Sequence, residues 1–84
     1  MELLIKGSTD VVGLSRSIIA SLKDTNNPTS MATVGAGSLN QAVKAVIIAQ
    51  SAFASHGKKI AMIPCFSYIE GTDVTKIVNQ LILI

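Results

Sequence analysis

The sequence predicts an α/β two-layer sandwich with elements in the order βαβαββ, formed as a single domain over residues 1–84. Short apolar runs alternate with two longer segments of helical spacing. Turns rich in glycine, asparagine or proline separate them. No internal repeat or low-complexity linker interrupts the series. A chain of 84 residues suffices for one compact domain and is too short for two.

Leu3-Leu4-Ile5 lies between Glu2 and Lys6-Gly7 and reads as the first strand. Ser8, Thr9 and Asp10 then offer capping oxygens and a first-turn carboxylate. Val11, Leu14, Ile18 and Leu22 follow at helical spacing, with Ser15, Arg16, Ser17, Ser21 and Lys23 on the other sides. This is an amphipathic helix lying on a sheet. Gly13 costs it about 1 kcal/mol relative to alanine, which points to a close neighbour at that position. Asp24-Thr25-Asn26-Asn27-Pro28-Thr29 is a surface loop.

Met31-Ala32-Thr33-Val34 is the second strand. Gly35 and Gly37 permit a tight turn with unusual dihedrals, and Ser38 is placed to cap a second helix running to about Ser55. Leu39, Ala42, Val43, Val46, Gln50 and Phe53 trace one face of that helix; Ala45, Ile48, Ala49 and Ala52 leave apolar surface elsewhere. A helix apolar on most sides is buried on most sides. One face meets the sheet, and another subunit is the simplest cover for the rest. Ala42, Ala45, Ala49 and Ala52 are small enough to let two copies of the helix approach closely. His56-Gly57-Lys58 ends it, with glycine as the stop. Lys59 to Phe66 is the third strand, and Pro64 makes it an edge or a bulged strand. Glu70-Gly71-Thr72-Asp73 is a turn, and Thr75 to Ile84 is the last strand. Its uncharged stretch from Ile77 to Ile84 would invite strand addition if it lay at an edge.

Composition narrows the function classes. Hydrophobic residues make up 49% of the chain and charged ones 14%, and mean hydropathy is +0.53. Such a chain either spans a membrane or hides apolar surface in an oligomer. Gln41, Lys44 and Gln50 punctuate the most apolar segment, so no uninterrupted span of about 18 residues exists. The N-terminus lacks a secretory pattern. A cytoplasmic homo-oligomer, dimer or higher, is therefore expected, with no membrane partner. Cys65 is a single cysteine and has no metal-ligand companion; flanked by Pro64 and Phe66, it reads as a small buried hydrophobe. The net charge of +2 is mildly basic. The aromatics Phe53, Phe66 and Tyr68 are too few for an extended base-stacking platform.

The run Val34-Gly35-Ala36-Gly37-Ser38-Leu39-Asn40-Gln41-Ala42-Val43-Lys44-Ala45-Val46 resembles the central motif of the stage V sporulation protein S (SpoVS) family, and Ile63-Pro64-Cys65-Phe66 resembles a later strand of it. The resemblance covers essentially the whole chain. It implies a role in spore development, at septation and coat assembly. That family is similar in fold to Alba, a dimeric chromatin and RNA-binding protein. The implied fold is a mixed four-stranded sheet with two helices on one face. The likeness to Alba further implies nucleic-acid contact near Lys6-Gly7-Ser8-Thr9, where this chain has one lysine in place of a pair. Gly35-Ala36-Gly37 stands where Alba carries arginine, and the basic hairpin arm is reduced to Glu70-Gly71-Thr72-Asp73.

Backbone amides and the helix dipole at Gly35–Ser38 suit a phosphate, although backbone geometry alone also accounts for the glycines. Asn40 stands where a dinucleotide fingerprint needs its third glycine, which excludes a nicotinamide or flavin site; no cofactor is expected. Gly37, Asn40 and Lys44 share a helix face and with Gln41 form a polar stripe fit for a backbone phosphate. Lys44 is equally readable as a solvated lysine or one lying over a dimer seam. Lys58 and Lys59 either join the same basic surface or complement the helix dipole. His56 has no partner at catalytic or metal spacing, and no elbow motif marks a serine. The reading is a non-enzymatic regulatory protein contacting DNA or RNA through Lys6, Ser8, Gly37, Asn40, Lys44, Lys58 and Lys59. The alternative is a self-assembling scaffold or protein-interaction module that binds no nucleic acid. A third reading is a small-molecule or phosphate sensor built on the glycine turn.

Overall fold

Six elements follow one another in the predicted order: β1 (Glu2–Ile5), α1 (Val11–Lys23), β2 (Thr29–Thr33), α2 (Ala36–Ala54), β3 (Ile60–Tyr68) and β4 (Thr75–Leu83). The structure is a computed structural model describing residues 1–24 and 26–84; Thr25, assigned above to the surface loop, lies outside the described residues. The strands form one mixed sheet in the order β1-β2-β4-β3. β1 and β2 are parallel, and β4 is antiparallel to both β2 and β3. The α/β two-layer reading therefore stands. The apolar final strand, read as a candidate edge, is instead paired on both sides. The edges are β1 and β3. Pro64 sits on edge strand β3, as its missing amide hydrogen requires, and it pairs opposite Asn79 without any bulge in the register.

Side chains alternate across the sheet. Leu3, Ile5, Met31, Ile60, Met62, Leu81 and Leu83 join the core formed with both helices. Leu4 and Ile63 face the other way, onto a sheet surface that neither helix covers, and Leu4 is 73% exposed. Cys65 shares that surface and is exposed. This overturns its reading as a buried hydrophobe: the strand is at an edge and its outer face has no second layer.

α1 begins at Asp10, whose Oδ2 accepts the Gly13 N–H at 3.0 Å. The close neighbour expected at Gly13 is this cap, since a Cβ there would meet Asp10 Oδ2 at 3.0 Å. Leu14, Ile18 and Leu22 are buried as their spacing requires. Ser15 and Ser21 are also buried, although the pattern assigns them to the outer sides. Their hydroxyls are satisfied locally: Ser15 Oγ donates to the Val12 carbonyl at 2.6 Å, and the Ser21 and Thr29 hydroxyls share a hydrogen bond of 2.5 Å between α1 and β2.

α2 packs with a different rotation from the one its sequence suggests. Ser38, Ala42, Ala45, Val46, Ala49 and Phe53 are buried. Ala42, Ala45 and Ala49 have no accessible surface at all, while Val43, Ile47 and Ile48 are exposed at 38%, 66% and 41%. While Ala52 stays exposed, the other three alanines are thus consumed inside the subunit, where α2 lies beside α1 and approaches β1 and β2. They are not free to seat a second copy of the helix. The larger β-branched residues remain outside, together with Ala52.

The β3–β4 hairpin is also longer than a trimmed arm. Each strand has nine residues. β2 pairs with β4 only between Ile77 and Leu81, so Ser67 and Tyr68 and their partners Lys76 and Thr75 reach past the end of β2. Gly71, at φ +78°, turns the chain at the tip.

Enlarging Ala45 tests the packing of α2. Ala45→Leu forces extra volume into a site with no free surface and should lower unfolding stability by about 1–3 kcal/mol. Urea denaturation followed by circular dichroism measures this, and an unchanged midpoint would mean that the alanine face is not closed.

Candidate nucleic-acid interface

The turn into α2 begins with Gly35 at φ 86° and ψ 163°, a conformation open to glycine and costly for other residues. Gly37 already lies within the helix, and no positive φ occurs there; the unusual dihedral belongs to Gly35 alone. Ser38 does not cap. Its buried hydroxyl turns back and donates to the carbonyls of Val34 and Gly35 at 2.7 and 3.0 Å. The helix accordingly starts without a side-chain cap, which leaves first-turn amides without an intrahelical partner.

The loop after β1 is fastened to this turn. Lys6 N–H donates to Thr9 Oγ1 at 2.8 Å, and Thr9 N–H returns to the Lys6 carbonyl at 3.1 Å. Gln41 Nε2 donates to the Thr9 carbonyl at 3.0 Å. A Cβ on Gly37 would stand 3.9 Å from the Gly7 Cα. These contacts bring Lys6, Ser8, Gly37 and Asn40 to one end of the molecule, and Lys44 follows one turn along α2; all five are exposed. Gln41 has a different task from the one its place in the polar stripe suggests. It is half-buried and holds the loop. Asp10 lies at the same end, with its carboxylate engaged in capping α1.

Lys58 and Lys59 do not join that group. They follow the C-terminus of α2, and its 19 residues separate the two ends by about 28 Å. Lys58 lines a hollow with Asp24, Asn26, Asn27 and Gln80. The Asp24 carboxyl is held below its ordinary range by the Asn27 side-chain amide and by the Asn26 N–H, so a carboxylate faces the same hollow. Lys59 exchanges two backbone bonds with Ile84. The seven predicted residues therefore form two groups at opposite ends.

Sequence reasoning passed over Lys76. Its ammonium stands 3.8 Å from Glu2 Oε1, and it borders a hollow on the bare sheet face with Lys6, Leu4, Ala32, Val34 and Ile69. Its position two residues before Val78 marked it for that face by period-two alternation, but which face lacked helices was not readable. Phe66 and Tyr68, at 71% and 77% exposure, were likewise not marked as surface. His56 is exposed. Among the described residues, no three or more His, Cys, Asp or Glu side chains gather where a metal would bind, and no helix is long and apolar enough to cross a membrane.

The family profile of stage V sporulation protein S (SpoVS) matches residues 1–83 of the chain. No individual characterised sequence matches it closely enough to add to that result. With a match across nearly all of its 84 residues, the chain belongs to the stage V sporulation protein S family and is, on that ground, a sporulation-related protein.

Proposed function

We propose that the protein is a non-enzymatic regulator of spore development that acts as a homo-oligomer and binds the phosphate backbone of DNA or RNA. The observation that carries this reading is the fastening of the Lys6–Thr9 loop onto the start of α2. It brings Lys6, the uncapped first turn at Gly37 and the exposed Asn40 and Lys44 to one end of the molecule, which supports the reading. Lysine charge with unpartnered amides is the equipment for sequence-tolerant backbone contact. Lys44 is the sole charged residue of α2, so the helix contributes positive charge with no internal carboxylate to offset it. Lys58 and Lys59 would serve as a separate contact at the far end, reached by a second stretch of nucleic acid or through a second subunit.

The exposed row Val43, Ile47 and Ile48 supports self-association through the outer face of α2, since apolar patches of this kind mark interaction surfaces. That row equally favours the scaffold reading, in which assembly is the whole function. A mobility-shift assay with duplex DNA and single-stranded RNA, run beside light scattering, separates the two. Shifted nucleic acid supports the first reading; large assemblies with no shift support the second.

Backbone binding through Lys6 and Lys44 predicts a logarithmic salt slope of about −1.8 per subunit, so raising salt fourfold should weaken affinity roughly tenfold. Lys44→Glu should lower affinity and flatten that slope by about 0.9 with the circular dichroism spectrum unchanged. An affinity indifferent to salt would remove the mechanism. Ile47→Glu should shift the sedimentation profile towards smaller species while the subunit stays folded, because the side chain it replaces touches solvent in the isolated subunit. A profile like the parent's would move the interface elsewhere.

A further inference from the structure

The buried polar residues among those described are Ser15, Ser21, Thr29, Thr33, Ser38 and Asn79. The first five bond through their side chains within the subunit. Asn79 makes no side-chain hydrogen bond among the described residues, although only 3% of it is accessible. No fully buried side-chain nitrogen or oxygen lacks a partner, so the accessible sliver of Asn79 is the amide itself. Its donor and its acceptor are both free.

The strand register gives the direction in which the amide opens. Asn79 shares its face of β4 with Ile77 and Leu81 and stands between Met31 on β2 and Pro64 on β3. Met31 and Leu81 are closed to solvent. Pro64 is exposed and Ile77 half-buried. The amide therefore opens past these two, towards a hollow of about 270 Å³ lined by Pro64, Cys65, Phe66 and Ile77. Phe66 is the diagonal neighbour of Asn79 across the ladder, at a separation of about 7–8 Å that an aromatic side chain spans. Its exposed ring is followed on the same face by the exposed ring of Tyr68. No charged residue lies between Ile60 and Ile69.

This corner adjoins the phosphate-binding group proposed above. Ile5, Thr33, Ile77 and Phe66 form one row across the sheet, on the face that carries the helices. Lys6 follows Ile5, and α2 starts just past Thr33. Three strand spacings, about 14 Å, separate the ends of the row, a distance of about four steps along a stacked strand.

We propose that the corner binds one unstacked base of a single-stranded nucleic acid, adenine by preference. Phe66 stacks on the face of the base, and Asn79 bonds its edge. An amide meets adenine with two bonds, donating to N7 and accepting from the N6 amino group. A flat apolar ring beside a free donor and acceptor matches a base, which offers a face and a bonding edge together. The bases of a duplex are stacked on both sides and leave no face for Phe66. One such site needs no extended aromatic platform. Glu70 and Asp73 at the hairpin tip repel phosphate and confine the strand to the side of Lys6 and α2. The inference rests on the nucleic-acid binding proposed above and adds the base to the backbone contact.

Fluorescence anisotropy with oligo(dA), oligo(dT), an abasic strand of equal length and the dA·dT duplex tests it. Oligo(dA) should bind about tenfold more tightly than the abasic strand, and more tightly than oligo(dT) or the duplex. Phe66→Ala should lower oligo(dA) affinity about tenfold, with the salt slope unchanged because no phosphate contact is lost; Phe66→Trp should restore it. Asn79→Leu should erase the preference for oligo(dA) over oligo(dT), with the fold checked by circular dichroism. Phe66 is exposed, so its variants decide the matter even where Asn79→Leu fails to fold. Equal affinity for abasic and oligo(dA) strands, or Phe66→Ala binding oligo(dA) as the parent does, overturns the base site and leaves backbone binding standing. Phe66→Ala that loses self-association by sedimentation velocity, with oligo(dA) affinity unchanged per subunit, makes Phe66 a contact between copies and also overturns it. A parent chain that binds none of the strands overturns both readings.

Discussion

The rotation of α2 about its own axis is the constraint on which the rest of the molecule depends. Ala42, Ala45 and Ala49 have no accessible surface, and side chains this short let α2 settle closely into the subunit. A helix seated on one row of residues has no freedom left in the others. Val43, Ile47 and Ile48 are turned outward, and Gly37, Asn40 and Lys44 share the solvent side. The apolar surface that suits assembly and the polar surface that suits phosphate are two consequences of one packing choice. The loop after β1 completes it, because Gln41 reaches from the same helix to hold the Thr9 carbonyl.

Much of the architecture was legible in the residues. The six elements appear in the predicted order because each apolar run is bounded by residues that end it: Gly7, Pro28, Gly35, Gly57 and Gly71. Pro64 narrowed β3 to an edge or a bulged strand through chemistry alone, since a regular strand paired on both sides cannot omit a donor. Strand order was not legible in the same way. Nothing local to Thr75–Leu83 distinguishes a central strand from an edge, because both read as an apolar run; the distinction arises from what β2 and β3 leave free.

The candidate site was legible by type and less so by place. Lys6, Ser8, Gly37, Asn40 and Lys44 meet at one end because β1 and β2 are parallel, which brings the loop after β1 beside the turn after β2. Lys58 and Lys59 lie at the other end because a helix of 19 residues carries the chain away. The orientation of α2 was misread for a related reason. A helix whose apolar residues surround it has no single period, so size decided which row was buried, and alanine prevailed over valine and isoleucine. Ser38 departs from its expected capping role because Gly35 starts the helix three residues earlier.

The position of β4 has a consequence for how the fold is reached. It is the last strand along the chain and yet stands between β2 and β3. Neither neighbour has a ladder partner on that side until it arrives, so the sheet cannot grow strand by strand in the order of synthesis. Without β4, β2 has one flank bare and α1 lacks part of the sheet it packs on. The sheet closes only when β4 pairs with both neighbours, and its pairing with β2 joins residues far apart in sequence, the kind of long-range contact that slows folding. A nascent chain halted before Thr75 would hold most of the residues of the domain and still lack the strand that makes them one sheet.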